Sequence, residues 1–311
     1  MKSFYPLLCI VFPFLLQAQH SNTPVEILIE KAAVAKIELD GSPDFLAVDG
    51  DDVWISNIDR VQKLSVKSKK PVLTVTIPGA CGAMIVGAKS LWVASCREQA
   101  VYRIDSRTGK ILSVINCGVA DLQGEISLAF GAGSLWIASD NKGVVTRIDA
   151  KTNTIQAHIN VLPDSYCAVY NYKSVWISNT AAHSVQRIDP KTNKVVATIS
   201  VGKTPRFLAA GENGVWTLNQ DDGTVSRIDP QSNSVVATID ANAIGTGGDI
   251  DAGGNRVWVR AKSRLLQTVN SETNSIETIY IPAAGSGAVR VTDHFVWVTA
   301  HDINTIWVMK K

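Results

Sequence analysis

From residue 33 onward, hydrophobic positions come in short runs separated by polar turns, and the runs recur at a regular interval. The clearest marker is a tryptophan that follows an apolar residue, at Trp54, Trp92, Trp136, Trp176, Trp216, Trp258 and Trp297. The intervals between them are 38, 44, 40, 40, 42 and 39 residues, and a fixed period of this size is the signature of a stacked repeat. Around Trp176 the text is VWISN, then SVQRIDPKTNKVVATISVG, then TPRFLAAG; around Trp216 it is VWTLN, then TVSRIDPQSNSVVATID. Each unit predicts four short strands: A, FLAAG-like; B, with the tryptophan; C, the V-x-R-I-D stretch; and D, VVATI-like. Strand B is apolar at consecutive positions (Val175, Trp176, Ile177), as expected of a sheet covered on both faces. Four strands in each period of about 40 residues describe a propeller blade. The chain is therefore expected to be all-β, a seven-bladed β-propeller of four-stranded antiparallel blades.

The C–D connection has its own chemistry. Asp189-Pro190-Lys191-Thr192-Asn193 places proline where its fixed φ opens a turn and asparagine where left-handed backbone is tolerated. Asp229 to Asn233 repeats the pattern, and Asp105 to Gly109 does so with glycine at the left-handed position, so hairpins with a bulge are expected. After Trp297 the chain has room for only a third strand, Thr305 to Met309. The missing strand D lies at the other end: Ala33 to Ala47 aligns with Val196 to Ala209 when Gly41 meets Gly202. Residues 31–40 are thus expected to complete the last blade, closing the ring and removing the edges that an open array would expose.

The first residues read differently. Lys2, the apolar run Tyr5 to Leu16 and the small residue of Gln17-Ala18-Gln19 describe a cleavable secretory leader over residues 1–19. Residues 20–30 form a lead-in, and 31–311 a single propeller domain. No further segment is long and apolar enough to suggest a membrane span, so a periplasmic or secreted protein is expected. Four cysteines follow the leader, without metal-site spacing. An oxidising compartment permits disulfides; Cys81 and Cys96 fall in one blade and are expected to pair, with Cys117–Cys167 a second guess. Lys and Arg total 30 against 28 Asp and Glu, a near balance that offers no footprint for nucleic acid or an anionic membrane.

The repeat VWISN…V-x-RIDP-x-TN-x-VVATI-x-VG-x-x-P resembles YVTN-type propeller repeats and is similar to the propeller of the virginiamycin B (streptogramin) lyase family, over nearly the whole chain after the leader. That resemblance implies a histidine at the start of strand A of the last blade and a glutamate just after strand B, with Mg²⁺ nearby. Those positions hold Gly287 and His301 here. The first lacks the catalytic histidine, and the second leaves His301 as a weak candidate base.

In this fold the D–A and B–C loops share one face, around the mouth of the central channel. The ring there offers Asp44, Glu125, Tyr166 and Arg206 as ligand-binding candidates. Arg206 can clamp a carboxylate or phosphate, Tyr166 can stack or hydrogen-bond, and glycines such as Gly82, Gly248 and Gly287 are expected to leave space. An Asp44–Arg206 salt bridge plugging the channel is the plainer alternative. Arg103, Arg147, Arg187 and Arg227 recur in the RID motif, so they are assigned to blade-stabilising pairs with the neighbouring aspartate, and the tryptophans to packing between blades. Asp49, Asp51 and Asp52 lack calcium-loop spacing and read as an A–B turn; Asp221-Asp222-Gly223 also reads as a turn.

No Ser-His-Asp set, zinc signature or phosphate loop appears. The expectation is a ligand- or protein-binding module with its site at the mouth and no cofactor. The alternative is a lyase-like, Mg²⁺-assisted enzyme, which requires carboxylates such as Glu125, Asp140, Asp249 and Asp302 to converge on one ion. Single-stranded DNA binding comes third, because it requires a basic groove with exposed aromatics.

Overall fold

The computed structural model describes residues 23–123 and 125–311, so the expected leader lies outside the described residues. The chain forms seven antiparallel sheets arranged as blades around a channel, with strands A to D running outward. In blade four these are Ser165–Asn171, Ser174–Asn179, Ser184–Asp189 and Lys194–Ser200. Strand B is buried along its length in that blade, as its uninterrupted apolar run requires. No helix among the described residues is long and apolar enough to cross a membrane.

Ring closure follows the alignment of the ends. Strands Val289–Val291, Phe295–Ala300 and Thr305–Lys310 of blade seven are completed by Ala33–Glu38, which pairs with Thr305–Lys310 in the register Lys36 to Trp307 and Ile37 to Ile306. The lead-in also takes part. Val25–Leu28 lies parallel to Ser275–Ile281 and makes a fifth strand on blade six. A helical turn, Ile29–Ala32, then carries the chain across to blade seven. Ile29 is buried under that crossing, and Trp307 Nε1 donates to Glu30 Oε1 at 3.2 Å. The eighth tryptophan, outside the repeat, therefore holds the crossing in place.

The seven repeat tryptophans are buried between blades. The RID arginines stabilise the ring, but with different partners from those expected. Arg147 lies over the ring of Trp136, 4.7 Å from its centroid, and donates to Ser134 Oγ at 2.9 Å. It also reaches the C–D turn of the next blade, donating to Pro190 O at 2.7 Å and Asn193 Oδ1 at 2.9 Å. Arg103, Arg187 and Arg227 repeat this clamp with Asn153, Asn233 and Asn274. The neighbouring aspartates are engaged elsewhere: Asp149 Oδ1 accepts Lys151 N and Thr152 N at 2.8 Å and caps its own turn. Each asparagine sits at positive φ, 55° for Asn193, so the residue that permits the turn also presents its amide oxygen to the preceding blade. Between blades seven and one the joint differs. Asp51, at the A–B turn of blade one, accepts from Thr292 Oγ1 and His294 N, and its backbone carbonyl accepts Trp297 Nε1 at 3.1 Å.

Cys81 and Cys96 are joined by a disulfide beside the mouth of blade two. The second guess fails, because Cys117 and Cys167 are both free thiols. Cys117 follows strand Ile111–Asn116 of blade two, whereas Cys167 lies in strand A of blade four, where its sulfur accepts Leu208 N at 3.2 Å.

Candidate functional site

The four mouth residues do not form one ring. Glu125 precedes strand A of blade three (Leu128–Gly131), and Tyr166 and Arg206 are the second residues of strand A in blades four and five (Ser165–Asn171, Pro205–Gly211). These three meet. Arg206 lies 2.6 Å from Glu125 Oε2, with its guanidinium carbon 4.3 Å from the Tyr166 ring centroid, and it also donates to the Tyr166 hydroxyl. Tyr166 donates to Asp121 Oδ2 at 2.5 Å, with Glu125 Oε2 3.2 Å away. Burial, then the Asp121 hydrogen bond and the Glu125 charge, push the phenol far above its ordinary value against the pull of Arg206. These contacts favour the neutral, donating form of Tyr166. Asp121 was not among the sequence candidates; only its place in the D–A loop beside Glu125 signals it.

Asp44 is not part of this group, so the Asp44–Arg206 plug is absent. It faces His301 across the joint between blades one and seven. His301 opens the turn after strand B of blade seven, with Nδ1 3.3 Å from Asp44 Oδ1 and Nε2 2.8 Å from Asp302 Oδ1. Contact with Asp44, assisted by the charges of Asp44 and Asp302, raises the imidazole above its ordinary value against burial and the charge of Arg260. Arg260 itself is fully buried. It donates to the carbonyls of Thr299 at 3.1 Å, Ala261 at 2.7 Å, and Arg264 and Ala284 at 3.3 Å. Burial lowers it to about 10, while Asp302, Asp44 and Asp249 hold it up.

The mouth glycines do not leave space. A Cβ on Gly82 would meet Ile126 O at 1.9 Å, on Gly248 Arg260 O at 2.2 Å, and on Gly287 Thr299 O at 2.0 Å. Each is glycine because backbone carbonyls already fill the volume a side chain needs. The position where the lyase resemblance implies a histidine therefore cannot take one without local rearrangement.

The carboxylates named for a metal do not converge. Glu125 pairs with Arg206, Asp249 with Arg290 and Asp302 with His301, while Asp140 accepts Lys142 N at 2.8 Å in its own turn. Among the described residues no group of three or more His, Cys, Asp or Glu is arranged to hold a metal ion. The donor set at the mouth does not fit Mg²⁺, which favours several oxygen ligands in octahedral array.

Below the mouth, a channel cavity of about 340 Å³ runs between the A strands. The strand A residues in register with the tryptophans are Ala47, Ile85, Ala129, Val169 and Ala209 in blades one to five, but Asp251 and Arg290 in blades six and seven. Arg290 bonds to the buried Asp249 carboxylate. Burial pushes Asp249 up to about 6, against the pull of Arg290 and of Ile250 N. The sequence pointed to Asp249 only as a metal carboxylate and to neither Asp251 nor Arg290. Reading the column seven residues before each tryptophan exposes the two charged residues.

The two faces of the ring also differ. Exposed large aliphatics in loops are Ile58, Leu122, Ile244 and Ile303, and all four lie in B–C or D–A loops around the mouth. The other exposed aliphatics, Val196 and Val236 among them, belong to outer strands. Among the described residues none lies in the A–B or C–D turns of the opposite face.

No protein-family model matches the chain, and no curated protein matches its sequence. Solved structures do share its fold. BamB from Moraxella catarrhalis is 11% identical, with 90% of this chain and 99% of that one covered at a TM-score of 0.67. Virginiamycin B lyase from Staphylococcus aureus is 13% identical, covering 89% and 98% at 0.73. U3-55K is 11% identical, covering 90% and 99% at 0.76. The three proteins bear unrelated names on one scaffold, so the likeness defines the class, a seven-bladed β-propeller, and function must be argued from the site.

Proposed function

We propose that this protein is a binding module working outside the cytoplasm, and that it engages a protein partner through its mouth face. The observation that carries the reading is the asymmetry of the faces. Ile58, Leu122, Ile244 and Ile303 surround a mouth where Glu125 is paired with Arg206, and His301 with Asp44 and Asp302. Apolar tips around a fixed polar centre suit a protein interface, where desolvated aliphatic contacts supply affinity and polar groups set register. The Cys81–Cys96 disulfide and the leader-like first residues support an oxidising location. The likeness to BamB, a propeller of the same class, is compatible with this reading.

A photo-crosslinking residue placed at Leu122 or Ile303, and separately at Lys191 on the opposite face, tests the proposal in the native host. Discrete adducts from the mouth positions alone support it. Equal labelling from Lys191, or none from the mouth, overturns it.

The lyase-like alternative draws on one observation, the raised imidazole of His301 between two carboxylates. That arrangement can supply an acid or base, but among the described residues these groups are not arranged to hold a metal ion. Loss of an elimination activity in His301→Ala is its test. Single-stranded DNA binding fits least, because the repeat tryptophans are buried between blades and cannot stack on bases.

A further inference from the structure

The channel trio does more than join blades six and seven. Asp249 Oδ1 accepts Ile250 N at 2.9 Å, and its Oδ2 accepts Val289 N at 3.2 Å together with Arg290. Asp251 Oδ1 accepts Ala252 N at 2.9 Å and Oδ2 accepts Val291 N at 2.8 Å. Every carboxylate oxygen is therefore engaged, two by the backbone N–H of the following residue and two by N–H groups of blade seven. Arg290 is different. Its Nη1 serves Asp249 and the Val289 carbonyl, while Nε and Nη2 have no partner among the described residues. A guanidinium carries five N–H donors, so about three remain available here. Arg290 lines the channel, and its side chain retains 19% of its exposure. The hydrogen-bonding capacity that Arg290 leaves unused is donor capacity, which suits an acceptor.

Part of the remaining wall is apolar, beside Ser127 and Tyr170. Ile85, Leu128, Phe130, Val169 and Leu208 face the same cavity. Its 340 Å³ lies at the small end of ligand sites. A charged fork at one side of a narrow cavity with an aliphatic stretch of wall is an arrangement that can hold a carboxylate head while its body rests against that stretch.

We propose that the central channel is a second binding site, distinct from the mouth face, for a small monocarboxylate with an apolar body, anchored by the free edge of Arg290. Burial supports this choice: with Asp249 held up near 6, its carboxylate loses part of its charge as the medium acidifies, and Arg290 is then freer to accept an anion. The charged and titratable groups facing Arg290 are Asp249 and Asp251 from blade six and Cys167 from blade four.

The test is isothermal calorimetry on the whole protein with benzoate and hexanoate, beside their uncharged amides, at about pH 5.5 and 7.5. Binding of the acids and not the amides, tighter at the lower pH, is expected. Arg290→Lys keeps a cation beside Asp249 but loses the fork, and should raise Kd at least tenfold. Val169→Phe fills the channel from the opposite wall without touching the charges, and should abolish binding while the fold melts normally. Arg206→Ala, at the mouth, should leave Kd unchanged. No heat with either acid, equal binding of the amides, or loss in Arg206→Ala with retention in Val169→Phe would each overturn the proposal. The crosslinking test of the mouth face is unaffected by any of these results.

Discussion

Arg187→Met probes the joint between blades four and five. Methionine keeps an unbranched apolar stem against Trp176 and removes every guanidinium donor. Three hydrogen bonds are lost: one to Ser174 Oγ at 2.8 Å inside the blade, and those to Pro230 O at 2.7 Å and Asn233 Oδ1 at 2.8 Å in the next. A hydrogen bond from a charged donor contributes about 1.5–3 kcal/mol where the acceptor is left dry. Here the turn acceptors are half-buried and recover water, so the pair between blades is assigned about 2 kcal/mol together. The guanidinium over Trp176, 4.9 Å from the centroid, adds about 0.5–1 kcal/mol. The total is about 3 kcal/mol, and with an unfolding entropy near 2 cal/mol/K per residue it lowers Tm by about 5 °C in a chain of this size. Urea denaturation followed by tryptophan fluorescence, with a parallel thermal melt, measures both quantities. The decisive comparison is a pair of double-mutant cycles. Coupling of about 1 kcal/mol is expected between Arg187 and Asn233 and close to none between Arg187 and Asp189. A wild-type melt for Arg187→Met, or stronger coupling to Asp189, would refute the inter-blade clamp.

Three further outcomes follow from the same structure. Deleting Ala33–Glu38 leaves strand Thr305–Lys310 as an unpaired edge, and the product should aggregate on size-exclusion chromatography; a monomer with the wild-type Tm would contradict this. Gly287→Ala forces a Cβ against Thr299 O and should cost about 1–3 kcal/mol by urea denaturation, the ordinary penalty for overpacking. His301 has a folded value raised above its ordinary 6.5, so its contacts contribute fully below that value and fade as pH rises through the folded one. Wild type should therefore lose more Tm than His301→Gln between about pH 5.5 and pH 8.5, and identical slopes would remove the contact's role.

The blade count, the C–D turns, the ring closure and the Cys81–Cys96 pairing were legible because each leaves a local mark: a tryptophan, an Asp-to-Asn turn, an aligned strand, two cysteines in one repeat. What escaped depends on the next blade. Arg147 finds Asn193 rather than Asp149, because the neighbouring blade presents its turn at the end of strand C, a relation the linear motif does not display. Gly248 and Gly287 suggested space in the sequence, whereas neighbouring carbonyls occupy it. Asp251 and Arg290 look like ordinary strand residues until set in register with the tryptophans. Of the four mouth candidates, Glu125, Tyr166 and Arg206 come together, while Asp44 belongs with His301 on the far side of the ring.

The crossing from blade six to blade seven has a consequence for the order of assembly. Val25–Leu28 and Ala33–Glu38 are made before all other described strands, yet their partners, Ser275–Ile281 and Thr305–Lys310, are among the last. The early segment must wait, unpaired, while the intervening blades form from local hairpins. Only a chain synthesised through Thr305–Lys310 can be sealed, and sealing draws on contacts separated by nearly the whole sequence, the slowest kind to form. Products interrupted before that strand keep a free apolar edge at each end. An unsealed chain thus differs from a finished ring by the strand edges it leaves unpaired, the kind of surface on which folding intermediates aggregate.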